Sequence, residues 1–518
     1  MSVTETATDP RFGVREGPSS NAAQWLVGRQ VEGLAAQAIA VQSGDRSLSY
    51  EQLWSEVQTV AAGLHHVGVR PEQRVMMCMA DDVELFVAIL ATWWMGAVAV
   101  PVSTMLTATE LAPLVHDCRP AVVLASTEFE STVRQAVPAG RPVEIVVDDA
   151  WSSLTGHGRM RECGPTGAED AALWLYTSGT TGLPKAAVHR HADVEVVSRC
   201  FGDGVLNLVP SDRCLSAAKL FFAYGLVSSL VLPLAVGATA VLERRPCTAD
   251  VLVERIAADR PTVLFAVPVL WDRLSASIEA PDLDGLRQGV SAGEALPARV
   301  FENCRDRLGV EVLDGLGSTE MLYIYLSSRP GQAVAGRLGE AVPGYDLDVR
   351  DGEGRSIVGF PGEVGELWVR GESAATGYWA RTAATRDTFV GAWVKTGDQV
   401  RVTDDGGLEL LGRTHDVMKV GGIWVSPAEV EQRLGAHPSV AQVAVVAQLD
   451  ADGLEYPVAF VVPATPETPD EDVLLAWCRA ELASFKRPRS IIFVQALPRT
   501  ATGKLQRVTL RSALRASV

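Results

Sequence analysis

The chain has 518 residues, 47% of them apolar, and a formal net charge of −17. That length exceeds what one hydrophobic core serves, so two or more domains are expected, and the acidic balance excludes general binding to nucleic acid or an anionic membrane. Eight cysteines, none in a C-x-x-C pair, exclude a disulfide framework or a cysteine-built zinc site, and the expected address is the cytoplasm.

Residues 1–20 are polar, carry Asp and Glu, and lack an apolar core, so they are expected to form a disordered tail rather than a signal peptide or anchor. Apolar helical stretches such as 50–65 then alternate with short β-rich runs such as 74–79 and 121–125, the pattern of βαβ units. Two uncharged runs, 85–109 and 220–242, are long enough to raise the question of a membrane span. Gly96 and Pro101 interrupt the first, Pro233 and Gly237 the second, so each reads as a buried helix followed by a strand of a parallel sheet. A polar, Gly-rich segment at 152–170 separates this block from a second alternating block at 172–326. Between 339 and 411 the pattern changes to short strands, for example 345–350 and 365–370, with Asp-Gly and Pro-Gly turns. A charged link after Arg413 leads to a last block with strands at 440–447 and 457–462 and a helix at 471–483. The expected fold is therefore α/β: a large N-terminal domain, 21–412, of two βαβ-type subdomains plus a small β-rich subdomain, and a small mobile C-terminal α+β domain, 413–518.

The densest chemistry is Tyr176-Thr177-Ser178-Gly179-Thr180-Thr181-Gly182-Leu183-Pro184-Lys185. Glycines let backbone N–H groups approach an anion, hydroxyls add donors, and Lys185 supplies a point charge, so the loop suits phosphate. It is not a Walker A loop, because no Gly-Lys-Ser/Thr follows at the required spacing, and read alone it fits an ordinary flexible connection equally well. Further on stand Asp314-Gly315-Leu316-Gly317-Ser318-Thr319-Glu320, Thr396-Gly397-Asp398, Gly412-Arg413-Thr414-His415-Asp416 and Arg499-Thr500-Ala501-Thr502-Gly503-Lys504. His189-x-His191 and His65-His66 invite a metal reading, but no carboxylate or Cys set with zinc spacing accompanies them.

These five elements, in this order, resemble the adenylate-forming superfamily of acyl- and aryl-CoA ligases, luciferases and peptide-synthetase adenylation domains, over residues from about 21 to 507. The segments Ser216-Ala217-Ala218-Lys219-Leu220-Phe221-Phe222-Ala223-Tyr224-Gly225 and Gly317-Ser318-Thr319-Glu320-Met321-Leu322 look most like benzoate-CoA ligases and their hydroxybenzoate relatives. The resemblance implies ATP, Mg²⁺ and coenzyme A as cofactor and cosubstrates. A carboxylate would attack the α-phosphate, pyrophosphate would leave, and a thiol would take the acyl group from the acyl-AMP. Such catalysis is positioning and electrostatics rather than covalent chemistry.

By resemblance, Lys504 reaches the α-phosphate and the attacking carboxylate, Thr319 and Glu320 belong to the catalytic turn, and Glu320 is the magnesium ligand. Thr177, Ser178, Gly179, Thr180, Thr181, Gly182 and Lys185 hold phosphates. Gly293, Glu294, Asp314 and Gly315 line the adenine, Asp398 accepts from the ribose hydroxyls, and Arg413 makes a second ribose or phosphate contact. Ala223, Tyr224, Leu316 and Tyr323 surround the aromatic ring, and Lys419, Gly421 and Gly422 wall the tunnel for the pantetheine thiol. Outside the family setting, each reads more simply: Lys504 as a surface lysine, Glu320 as a helix-N-terminal acid, Phe221, Phe222 and Tyr224 as core.

Two positions depart from the family pattern. Tyr323 stands where histidine is expected, which suggests a phenol contact with a ring hydroxyl or amine. His415 stands at the pivot of the C-terminal domain, where Asp or Lys is usual. The leading expectation is an ATP-dependent aryl-CoA ligase acting on a substituted benzoate, a monomer or homodimer with no nucleic-acid or membrane partner. The alternatives are a stand-alone adenylation enzyme loading a carrier protein, a nitrite-using diazotising relative acting on an aminoarene, and a non-catalytic binding protein on the same fold.

Overall fold

The computed structural model describes residues 21–33, 35–138, 143–147, 151–177, 184–276, 283, 285–420, 423–450, 454–465, 470–499 and 505–516. Two compact units divide the chain, one of Met1–Leu347 with Val369–Val394, the other of Asp348–Trp368 with Lys395–Val518. Residues 395–412 thus group with the C-terminal residues, beside the expected domain boundary at 412/413.

Two sheets build the first unit. Its strands in chain order are β1 (Ile39–Ser43), β2 (Arg46–Ser49), β3 (Arg74–Cys78), β4 (Val98–Pro101), β5 (Val122–Ala125), β6 (Glu144–Val147), β7 (Ala171–Thr177), β8 (Lys185–Arg190), β9 (Arg213–Ser216), β10 (Thr239–Leu242), β11 (Val263–Ala266), β12 (Gln288–Ala292), β13 (Val312–Gly317), β14 (Ile324–Ser327) and β15 (Glu340–Ala341). One sheet has the order β6-β5-β3-β4-β7-β8, and the other β15-β14-β13-β12-β11-β9-β10-β1-β2. The pairs from β13 through β12, β11, β9 and β10 to β1, and from β6 to β7, are parallel, and antiparallel pairs stand toward the edges, β7 with β8, β1 with β2, β13 with β14 and β14 with β15.

The uncharged runs behave as their composition requires. The helix Val83–Trp94 buries every residue but Glu84 and leads into the fully buried β4. Trp93, wholly buried, spends its indole N–H on the Ala172 carbonyl at 2.8 Å. The second run becomes helical turns ending at Val236, a left-handed Gly237 and β10. Among the described residues, no helix is long and apolar enough to cross a membrane. Polar signals set the helix starts: Ser49 and Gln52 form a reciprocal capping box on Tyr50–His66, as Thr107 and Glu110 do on Ala108–Cys118.

The polar segment between the two blocks is packed at a few points. Ser152–Thr155 forms a short helix with Leu154 buried, and the Met160 carbonyl accepts from the Trp94 indole at 2.7 Å. Polarity of the exposed residues hid these few buried anchors from sequence patterning.

In the second unit, the strands Val440–Leu449 and Glu455–Pro463 pair antiparallel, and Ser490–Phe493 joins the latter in parallel. Strand alternation divides their residues between two cores: Val445, Ala459 and Val461 pack with Val430, Leu434 and Leu474, whereas Ala444, Val446, Val458 and Phe460 pack with Leu510 and Leu514. Helices thus cover both faces.

Gly63 lies inside the helix Tyr50–His66, where alanine is favoured by about 1 kcal/mol. A Cβ there would stand 2.1 Å from the Leu154 carbonyl oxygen. Gly63→Ala is therefore expected to destabilise the first unit, by about 1–3 kcal/mol, measured by denaturant unfolding; a stabilised variant would show that the Leu154 contact yields freely.

Candidate active site

The C-terminal ends of adjacent strands collect the motifs. β9 leads into the Ala217–Phe222 connection, β12 into Gly293 and Glu294, and β13 into Ser318, Thr319 and Glu320. This edge is where open α/β sheets form ligand crevices. In the other sheet, Thr177 ends β7 directly opposite Lys185, which starts β8. Ser178, Gly179, Thr180, Thr181 and Gly182, between them, lie outside the described residues, as do Gly421, Gly422 and Lys504.

Lys185 and Glu320 meet through a residue that sequence reading passed over. The Lys185 ammonium stands 4.8 Å from the centroid of the Tyr378 ring, and the Tyr378 hydroxyl donates to Glu320 Oε1 at 2.6 Å. Residues 376–379 run beside β8, with Thr376 N donating to Val188 O, Val188 N to Gly377 O, and Trp379 N to Ala186 O. Nothing in the spacing of Gly377-Tyr378-Trp379 distinguishes this phenol from a packing aromatic.

The turn Thr319–Met321 is held on every side. Ser318 Oγ accepts from Met321 N at 3.3 Å. The Thr319 carbonyl accepts from His189 Nε2 at 2.7 Å, the Glu320 carbonyl from Ala375 N at 2.8 Å, and the Met321 carbonyl from Ser373 Oγ at 2.8 Å. Leu322, the next residue, takes φ 64°, a conformation that costs a branched residue energy and marks a constrained site. Gly317 is obligatory, because a Cβ there would stand 2.6 Å from the Tyr323 carbonyl oxygen. The Glu320 side chain is partly exposed.

Beside this turn, Asp314 is buried on β13. Its Oδ2 accepts from Leu296 N at 3.2 Å, and Oδ1 has no hydrogen-bond partner. Burial pushes its pKa up to about 7, against hydrogen bonds from Leu296 and Gly315 that lower it. Gly293 adopts φ 96° where the chain leaves β12, and Glu294 is exposed next to it. Gly315 admits Ile324, which would stand 2.8 Å from a Cβ.

Ala223 and Tyr224 open the short helix Ala223–Leu226, both partly exposed, as is Leu316. The Tyr224 hydroxyl donates to Val290 O at 3.0 Å, and its ring lies near-parallel to that of Tyr323, 6.0 Å away. Phe201 backs Tyr323 edge-on. The Tyr323 hydroxyl bonds Ser228 Oγ at 2.7 Å, a partner sequence reading did not name. Burial raises both phenols above their ordinary range. Upstream, the buried carboxyl of Asp81 fixes the connection by accepting from Leu220 N at 2.9 Å.

In the second unit, Asp398 and Arg413 face each other across paired strands, with Arg413 Nε 3.3 Å from Asp398 Oδ1 and Nη1 donating to Thr396 O at 2.8 Å. Asp398 is buried and Arg413 exposed. His415 is exposed, and its carbonyl accepts from Arg511, which also binds Asp416 at 2.9 Å. The exposed Lys419 lies over the Trp424 ring at 5.1 Å.

No group of three or more His, Cys, Asp or Glu side chains suited to a metal ion occurs among the described residues. His66 stacks on His157, and His191 Nδ1 accepts from Ala22 N.

Residues 28–379 match the model of the AMP-binding enzyme family, and residues 429–504 that of the AMP-binding enzyme C-terminal domain. The chain belongs to the AMP-binding enzymes. It is 38% identical to a benzoate-CoA ligase of Thauera aromatica, covering 95% of this chain and 96% of that protein. It is 39% identical to a 4-hydroxybenzoate-CoA/benzoate-CoA ligase of Rhodopseudomonas palustris, covering 95% and 94%. Among solved structures, an anthranilate CoA ligase in complex with anthranoyl-AMP is similar with a TM-score of 0.89 at 34% identity, covering 99% of this chain and all of that one. A benzoate CoA ligase from Burkholderia xenovorans LB400 gives 0.88 at 36% identity, covering 95% and 99%.

Within this AMP-binding enzyme the buried Asp314 carboxyl has a consequence for stability. Folded, it keeps its proton to about pH 7, whereas an unfolded aspartate releases it near 4. Between these values the folded state holds the extra proton, so this group's contribution declines as pH rises and is level above about 7. Relative to Asp314→Asn, the wild type is expected to lose melting temperature from pH 5 to pH 7. Parallel melting profiles for the two proteins would rule this out.

Proposed function

We propose that this enzyme joins an aromatic carboxylic acid to coenzyme A in two steps. The carboxylate oxygen attacks the α-phosphorus of ATP, the bond to the bridging oxygen breaks, and pyrophosphate leaves. The thiolate of coenzyme A then attacks the acyl carbon of the aryl-AMP, and AMP departs with the electrons of the C–O bond.

The observation that carries this reading is the sharing of one turn by two chemistries. Glu320, tied through Tyr378 to the Lys185 ammonium, stands three residues before Tyr323, whose ring lies near-parallel to that of Tyr224. A flat ring beside these tyrosines brings its carboxylate near the anion-handling groups. Shape selects the aromatic body, and placement of charge drives the first step.

Mg²⁺ fits Glu320. The carboxylate is a hard oxygen ligand, Tyr378 engages one of its oxygens, and the other is available to a cation. A single protein carboxylate suits an ion that keeps its waters and is held mainly by substrate phosphates. Bound there, it supplies neutralisation of phosphate charge. Lys185 adds a cation on the same side, and Lys504 serves the transferring phosphate. Asp314 Oδ1, a buried acceptor without a partner, suits the amino group of adenine. Asp398 offers its carboxylate to the ribose hydroxyls, and Lys419, Gly421 and Gly422 serve the pantetheine arm.

The acid carries a ring hydroxyl or amine. Ser228 and Tyr323 own two O–H groups and spend one on each other, leaving one donor for the substituent. Tyr323→Phe is expected to lower the kcat/KM ratio of hydroxy- or aminobenzoate to benzoate by about fivefold, the worth of one hydrogen bond; an unchanged ratio removes this role.

The reaction is tested by mass spectrometry of products from purified protein, ATP, Mg²⁺, coenzyme A and a mixture of benzoate, hydroxybenzoates and aminobenzoates. Aryl-CoA is the expected product, its mass naming the preferred ring. Aryl-AMP alone would assign the thioester step to a carrier protein, and no adduct would overturn the aromatic reading.

A further inference from the structure

We propose that His189 is a positioning residue for Glu320, setting the place of the magnesium-binding carboxylate relative to the strand that begins at Lys185. The inference rests on the reading of Glu320 as that ligand.

His189 occupies the end of β8, four residues after Lys185, and its side chain is wholly buried, as is that of Asp193. Its Nδ1 faces Asp193 Oδ2 at 3.0 Å and its Nε2 faces the Thr319 carbonyl at 2.7 Å. A carbonyl oxygen only accepts, so the ring donates to Thr319 through Nε2 while Asp193 holds its other edge. The carboxylate is itself fixed: Arg190 N donates to Asp193 Oδ2 at 3.0 Å and Arg190 Nε to Oδ1 at 2.9 Å. A ring locked at one edge by an immobile carboxylate presents its Nε2–H at a set position.

That N–H meets the backbone immediately before Glu320. The next two carbonyls, of Glu320 and Met321, are taken by Ala375 N and Ser373 Oγ, and the Glu320 side chain by the Tyr378 hydroxyl. Residues 373–378, themselves hydrogen-bonded to β8, also grip the turn, and His189 provides the direct side-chain bond to it from β8. Loss of the imidazole leaves the part-buried Thr319 carbonyl with only the Leu322 N–H, at 3.1 Å, and removes the direct tie between the turn and the lysine strand. Sequence reading weighed His189 only as a zinc ligand beside His191. The geometry assigns it instead the second-layer task usual for residues that orient a metal ligand.

The test compares wild type, His189→Leu, His189→Gln and Glu320→Gln by calorimetric binding of a non-hydrolysable ATP analogue, with Mg²⁺ and with EDTA, alongside the KM for the aryl acid. His189→Leu keeps the volume without the donor, and His189→Gln restores one N–H. His189→Leu is expected to weaken binding with Mg²⁺ by about tenfold, to leave binding in EDTA and the acid KM within about twofold, and to be largely rescued in His189→Gln. Should His189→Leu not fold, His189→Gln and Asp193→Asn are read the same way, each showing a smaller loss confined to the Mg²⁺ arm. Equal losses in both arms, or none in either, would overturn the proposal. If Glu320→Gln leaves Mg²⁺-dependent binding intact, the metal-ligand reading itself fails, whatever His189 does.

Discussion

Three successive carbonyls, those of Thr319, Glu320 and Met321, each accept a hydrogen bond from outside their own turn. In a longer helix such carbonyls would be met by later N–H groups; here the Thr319 carbonyl also takes Leu322 N at 3.1 Å, but the turn is only Thr319–Met321 and the chain reverses at Leu322. The surroundings must therefore provide donors at fixed places. His189, Ala375 and Ser373 do so, and in doing so they fix where the Glu320 carboxylate stands. β8, the 373–378 segment and the β13 edge depend on one another through this turn.

The same constraint reconciles an acidic protein with anionic substrates. A formal charge of −17 offers no general attraction for nucleotide or carboxylate. Attraction has to be local, and local cations are useful only when held. Lys185 stands over an aromatic face whose hydroxyl is bonded to Glu320, so ammonium and carboxylate are linked through one neutral side chain. The arrangement keeps them associated without a direct ion pair, which would spend the charges on each other. In the second unit the balance is struck differently: Arg413 lies directly against Asp398, so there the two charges meet in a direct ion pair.

Much of the architecture was legible because apolar period and polar punctuation agree. The helix expected over 50–65 spans Tyr50–His66, its start written in Ser49 and Gln52, and the strands expected at 345–350 and 440–447 are found as Tyr345–Arg350 and Val440–Leu449. The segment at 152–170 does lie between the two blocks, but three contacts, at Leu154, Met160 and Gly164, pack this mostly polar stretch and left no pattern in its sequence. For the site, motif residues are readable where glycine and hydroxyl spacing signals close approach to an anion. Tyr378, Ser228 and His189 carry no such signal. Each acts by meeting a residue far along the chain, and a pairing such as His189 with Thr319 leaves no periodic trace at either end.

The strained Leu322 joins the two halves of the chemistry. It lies between the turn bearing Glu320 and the strand that Tyr323 leads into, and its φ of 64° turns the chain within one residue. That turn keeps Glu320 within three residues of Tyr323. Closeness matters because a carboxylate gains reactivity toward phosphorus only when both are held in register. In the proposed reaction, selection of the acid and placement of the phosphates are thus two demands on a single short stretch of chain.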